Sequence, residues 1–154
     1  MNVETIAEEK VIVFELNHEE YAIPVQQVQS IEKLQYITRV PQTKAYIRGV
    51  INLRGVVLPI VDLRLRFGMD AVPHTENTRI IIISIRGTEV GLIVDAANDV
   101  LDIPVDSIEA APKVVGSIHT DYIKGIAKLE RRLLNLLHLE KVLQMKEENE
   151  SLVQ

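Results

Sequence analysis

At 154 residues with 47% hydrophobic content, the chain is one ordinary domain or two very small ones, large enough to bury a core without covalent staples. The absence of cysteine excludes disulfides, thiolate metal sites and a cysteine nucleophile, and fits a reducing cytoplasm. A net charge of −5 and only six aromatic side chains, two Phe and four Tyr, argue against a nucleic-acid surface or a base-stacking platform.

Val, Ile and Leu dominate the composition, and β-branched side chains suit pleated, half-buried strands. The first residues, Met1 to Glu9, carry three glutamates and no basic leader pattern. Lys10 to Leu16 reads as a strand, Asn17 to Glu20 as a turn and Tyr21 to Val25 as the returning strand. Val25 to Gln29 suits a short helical turn behind Pro24, and Ser30 to Tyr36 a further strand. After a loop from Thr38 to Lys44 come strands Ile47 to Leu53 and Val56 to Val61, joined at Arg54-Gly55. Asp62 is placed to cap a helical turn that runs to Phe67 and stops at Gly68.

Asp70 to Thr78 reads as an exposed connection between halves. Arg79 to Ile85 and Glu89 to Val94 form the clearest hairpin, turning near Arg86-Gly87. A strand is expected over Asn98 to Ile103, and a loop from Pro104 to Ser117, which two prolines interrupt. Strands Tyr122 to Leu129 and Arg132 to Leu137 follow, then a terminal helix over Leu139 to Glu147. Short strands at this spacing predict an all-β sandwich or barrel, and no apolar run is long enough to span a bilayer.

The chain also repeats itself. Tyr46-Ile-Arg-Gly-Val-Ile-Asn-Leu53 matches Tyr122-Ile-Lys-Gly-Ile-Ala-Lys-Leu129, and the match runs on to pair Leu58 with Leu134 and Leu63 with Leu139. Val11 to Val25 aligns with Ile80 to Val94. This predicts two related subdomains, each about half the chain and too short to hold an independent core, packed against one another. Gly49 and Gly125 stand in register; the turn Arg54-Gly55 becomes Glu130-Arg131, as an exposed turn is free to do.

No catalytic constellation emerges. His18, His74, His119 and His138 lack metal-ligand spacing, and there is no phosphate-binding glycine loop or nucleophile elbow. Asp95, Asp99 and Asp102 cluster after a strand, which raises a small-ligand or cation-binding sensor on the same barrels as a second reading; the pattern lacks the ligand alternation and glycine of a calcium loop. A hydrolase with an unrecognised site is a third, with no nucleophile–base pair to support it. Arg54 presents a planar donor fork at a hairpin tip, by itself an ordinary feature of an exposed turn.

The run Tyr46-Ile-Arg-Gly-Val-Ile-Asn-Leu-Arg-Gly-Val-Val-Leu-Pro-Ile-Val-Asp-Leu63 resembles the signature of the CheW family, and the likeness extends from about Val11 to Leu143. It includes Tyr21-Ala-Ile-Pro-Val25 and Val28-Gln-Ser-Ile31. The resemblance implies a single CheW-like domain over 1–154, made of two five-stranded, SH3-like barrels around separate cores, with short helices and a C-terminal helix. It implies a non-enzymatic cytoplasmic adaptor without cofactor or metal, which binds the regulatory domain of the histidine kinase CheA and the cytoplasmic tip of methyl-accepting chemotaxis receptors. In such assemblies ligand state sets kinase activity, and membrane association runs through the partners. By the same resemblance Arg54 and Gly49 serve receptor and kinase coupling, and Val28 and Ile31 line a receptor groove between the barrels; Val100 is a further apolar candidate there. Ser30 stands where many relatives carry an acidic residue, with Glu32 close by. CheV-type relatives add a phosphorylatable receiver, for which this chain is too short.

Overall fold

The computed structural model describes residues 7–111 and 120–143, apart from the side chains of Asn98 and Thr120. Eleven strands and two short helices follow in order: β1 (Glu8–Leu16), β2 (Glu19–Pro24), β3 (Val28–Lys33), β4 (Ile47–Leu53), β5 (Val56–Asp62), α1 (Leu63–Arg66), β6 (Arg79–Ile85), β7 (Thr88–Val94), β8 (Ala96–Pro104), β9 (Ile108–Glu109), β10 (Ile123–Leu129), β11 (Arg132–Leu137) and α2 (Leu139–Val142). One sheet runs β8-β1-β2-β11-β10-β9 and the other β3-β6-β7-β5-β4. Each curls into a barrel. The first closes because β9 continues from β8 through a single 3-10 turn, Val105–Ser107. The second closes where Thr38, beyond β3, bridges Val50 on β4.

The expected all-β, two-barrel architecture is present, but the barrels are not the two halves of the sequence. Hairpin β1–β2 from the first half pairs with β8 and β11 from the second. Hairpin β6–β7 from the second half pairs with β3 and β5 from the first. Four pairings thus cross between halves, β1–β8 and β3–β6 antiparallel, β2–β11 and β5–β7 parallel. Equivalent hairpins of a duplicated chain offer nearly identical edges, so the repeat alone does not say whether they pair within a copy or across copies.

Burial explains the strand sequences. Val11 and Val13 point into the first barrel with Ala22, Ile103, Ala127, Leu134 and Leu136. Ile80 and Ile82 point into the second with Ile51, Leu58, Ile60 and Ile93. Their neighbours Ile12, Phe14, Ile81 and Ile83 face the other way, into a third and larger cluster between the barrels. Strands buried on both faces read as continuous apolar runs, which is why β1 and β6 show no alternation. The resemblance's separate barrel cores are therefore joined by a shared one. Sequence-equivalent residues take equivalent places: Leu58 and Leu134 fill barrel interiors, while Leu63 and Leu139 enter the shared cluster.

Local boundaries differ in places. β3 starts at Val28 and ends at Lys33, because the helical turn before it is only Val25–Gln27. β8 is longer than expected, and the Pro104 to Ser117 loop contains a 3-10 turn and the short β9. α2 covers Leu139–Val142; the remainder of the expected terminal helix, 144–147, lies outside the described residues, as does 112–119. Among the described residues no helix is long and apolar enough to cross a membrane.

Tyr21 is fully buried in the shared core between Phe14 and Phe67, and among the described residues its hydroxyl has no hydrogen-bond partner. Burial, with the nearby Glu19 carboxylate, pushes the phenol up to about 12. The folded state therefore favours the neutral form. That contribution to stability is complete below the ordinary tyrosine value, about 10, and is lost as pH rises toward 12. Tyr21→Phe removes an unsatisfied hydroxyl without changing ring packing. Denaturant titrations should show it at least as stable as the parent at pH 7, and less sensitive to alkali between pH 10 and 12.

Candidate functional site

The β4–β5 hairpin turns through Arg54 (φ 52°) and Gly55 (φ 85°), the left-handed pair of a type I′ turn. Asn52 braces it: its Oδ1 accepts the Gly55 N–H at 2.9 Å. Arg54 thus stands on a stiff tip with its side chain 74% exposed, and its guanidinium lies 3.7 Å from the Glu32 carboxylate on β3. At that length the ion pair orients the arginine without consuming its donor fork. Glu32, two residues after Ser30, is the carboxylate that faces Arg54.

Arg54, Leu53, Val56, Gln29 and Ser30 line a cleft of about 180 Å³ at the end of the second barrel. Val56 and Val57 are both exposed, Val57 at 65%. Adjacent strand residues normally alternate, but β5 meets β7 only from Ile60 to Asp62, so its first residues are paired with β4 alone. Inspection of the sequence missed these valines, and also the exposed Leu34 and Tyr36 after β3. The pairing that leaves Val56 and Val57 uncovered is long-range, and no local pattern signals it.

Ile31 is exposed and Val28 is partly buried against the shared core. Ile31 sits opposite Ile81, and Val100 on β8 sits opposite Ile12. Directly opposed residues share a sheet face. Both side chains therefore lie on the faces that supply the shared core, at its solvent rim. They are counterparts under the duplication, since Ile12 aligns with Ile81. Val100 belongs to the other sheet and is not a second residue on Ile31's strand.

Gly49 is placed differently from the other candidates. It is buried, with φ 145°, at a register shift in β4. A Cβ there would overlap the Thr38 carbonyl that closes the barrel. Gly125 occupies the same place against Glu109 and Ile108 of β9, which closes the first barrel. The repeated glycine is a closure device in both barrels.

The aspartates do not converge. Asp95 accepts two hydrogen bonds from Arg64, at 2.8 and 2.6 Å, and one from the Asn17 N–H at 2.8 Å. Asp99 pairs with Arg132, and Asp102 with Lys10. Each carboxylate has its own cation, and among the described residues no group of three potential ligands forms a metal site. Burial pushes the Asp95 carboxyl up, but the bonds from Arg64 and Asn17 outweigh it and hold it below its ordinary value. Its ionised form is thus favoured in the fold; that stability is present above about pH 4 and is lost as pH falls further. Asp95→Asn should cost about 1–3 kcal/mol at pH 7 and flatten the acid limb of the stability profile, measured by urea unfolding.

Asp62 is the helix cap that the sequence indicated. It is buried, accepts the Arg64 and Leu65 N–H groups, and pairs with Arg48 at 2.9 Å. His138 caps α2 at the equivalent position. A second cleft, of about 240 Å³ beneath Val72 to Thr75, is lined by Asp62, Arg64 and Asp95, whose charges are already matched.

The CheW-like domain family matches residues 10–147. Chemotaxis protein CheW of Bacillus subtilis (strain 168) is 50% identical over 153 residues, covering 99% of this chain and 97% of its own length. Chemotaxis protein CheW of Klebsiella aerogenes is 38% identical over 144 residues, covering 94% and 86% respectively. The crystal structure of the scaffolding protein TtCheW from Thermoanaerobacter tengcongensis superposes with a TM-score of 0.83 at 36% identity, covering 90% of this chain and 94% of that one, and shares its SH3-like architecture. Matched along nearly all its length in sequence and in fold, this chain belongs to the CheW-like domain family.

Proposed function

We propose that this chain is a non-enzymatic cytoplasmic adaptor of chemotaxis, which joins methyl-accepting receptors to the regulatory domain of the kinase CheA in arrays. The observation that carries the reading is the stiff, exposed Arg54 tip beside uncovered Val56 and Val57. An apolar patch with a single oriented arginine is suited to docking a protein, because the valines supply burial and the donor fork supplies register. The family membership and the chemotaxis and scaffolding names of its relatives support the same role.

In this reading Ile31 and Val28, with Val100 across the shared core, receive a receptor helix in a shallow apolar groove. The end of a barrel meets the kinase domain. Gly49 contributes by holding the second barrel closed behind Arg54 and makes no direct contact. Signal passes as a bias between arrangements of the assembly, with no bond made or broken in this chain. Co-purification of the protein with a receptor cytoplasmic fragment and with the kinase regulatory domain, separately and together, tests it. Two binary complexes and a ternary one are expected; binding to neither by folded protein would sink the proposal.

A further inference from the structure

The duplication places Tyr46 before β4 in the second barrel and Tyr122 before β10 in the first. One side chain lies over both rings. The Arg66 guanidinium is 4.6 Å from the Tyr46 centroid and 5.1 Å from that of Tyr122. Its Nε donates to the Val142 carbonyl at 2.7 Å, at the end of α2. Arg66 itself ends α1, which follows β5 of the second barrel. One arginine thus ties its own barrel to a ring and a helix end of the other. Under the repeat Arg66 aligns with Val142, which is buried and apolar. The clamp at this pseudo-symmetric junction is therefore one-sided, and an exposed Arg86–Glu140 pair at 2.8 Å is a second polar contact between the two barrels.

The contacts around it are stiff. Tyr122 stacks on Phe67 at 5.4 Å, and Phe67 leads to Tyr21 and Phe14 in the shared core. A cation between two aromatic faces gains on both, and its bond to a helix-terminal carbonyl is directional. Apolar packing between the barrels supplies most of the cohesion, to which a charged hydrogen bond adds a directional contact. The arginine adds the angular constraint. Strand β5 runs from the Arg54 tip to α1, so the clamp and the tip are ends of one short rigid element.

We propose that Arg66 is a positioning residue: it fixes the angle between the two barrels, and so lets the groove at the shared core and the Arg54 end be occupied together. The second clause rests on the adaptor reading above; the first does not.

The chain has no cysteine, so labels introduced at the exposed, repeat-equivalent Val57 and Leu133 report one inter-barrel distance. Pulsed electron paramagnetic resonance on V57C/L133C should give a narrow distribution. Arg66→Met should broaden it at least twofold while the circular dichroism spectrum is kept, and Arg66→Lys should recover part of the narrowing through the retained charge. An unchanged distribution in folded Arg66→Met overturns the clamp. If that variant does not fold, Tyr122→Leu removes one face of the clamp and decides in the same way.

In unlabelled protein with native Val57 and Leu133, Arg66→Met should leave each binary affinity within about twofold and weaken the ternary complex about tenfold. Equal ternary affinity overturns the positioning role. If the parent protein binds neither partner, the adaptor reading fails, while the distance measurement still decides the clamp.

Discussion

Gly49→Ala is expected to destabilise the protein by about 3–5 kcal/mol, the sum of backbone strain and overpacking. At φ 145° the backbone is in a region that side chains rarely adopt, and the added methyl would overlap the Thr38 carbonyl and press on Ile37. Neither neighbour can yield cheaply. Thr38 exchanges both backbone hydrogen bonds with Val50, each 2.8 Å, and these close the barrel. Domains of this size have about 5–15 kcal/mol in total, so the substitution should remove a large share of the stability. Gly125→Ala is the internal control. Gly125 has no positive φ, and its Cβ would stand 3.0 Å from the Glu109 carbonyl and Ile108 Cγ2, so about 1–2 kcal/mol is expected. Urea unfolding of both at matched slope measures the difference. A Gly49→Ala protein with native stability and lost partner binding would reassign the glycine to an interface.

Arg54→Glu should have the opposite profile. The side chain is exposed and its ion pair with Glu32 is long, so stability should change by no more than about 0.5 kcal/mol. The new carboxylate would face Glu32 and invert the charge of the tip. Partner binding should weaken by about 2 kcal/mol or more, some 30-fold, in titration calorimetry against the kinase domain and the receptor fragment. Arg54→Ala, which only deletes the fork, should lose less. A folded Arg54→Glu protein that binds both partners normally would remove Arg54 from the site.

These two variants separate roles that the sequence resemblance gave as one. Arg54 and Gly49 sit five residues apart on the same hairpin strand and its turn, yet one is solvent-facing chemistry and the other is backbone clearance. Tyr21 and Asp95 should contribute to the pH dependence of stability on opposite sides, the first through a loss in alkali and the second through a loss in acid.

Every strand but β9, the Arg54-Gly55 and Arg86-Gly87 turns, the Asp62 cap and the duplication were legible in the amino-acid sequence, with the bounds of β3 and β8 displaced. Each rests on interactions between residues close along the chain: apolar runs bounded by turn residues, a glycine permitting a left-handed turn, and a carboxylate two residues before the N–H it accepts. Partner choice among strands was not legible. Only burial of the whole chain selects β1 with β8 and β6 with β3 over pairings confined to one half, because the duplicated edges are equivalent. That choice in turn decided the rest. It left Val56 and Val57 uncovered, dispersed Asp95, Asp99 and Asp102 onto separate cations, made Gly49 a barrel closure, and brought Tyr46 and Tyr122 from opposite barrels to the same arginine. Residues far apart in sequence meet only once the topology is fixed, and the free energy that fixes it belongs to the shared core and to no single segment.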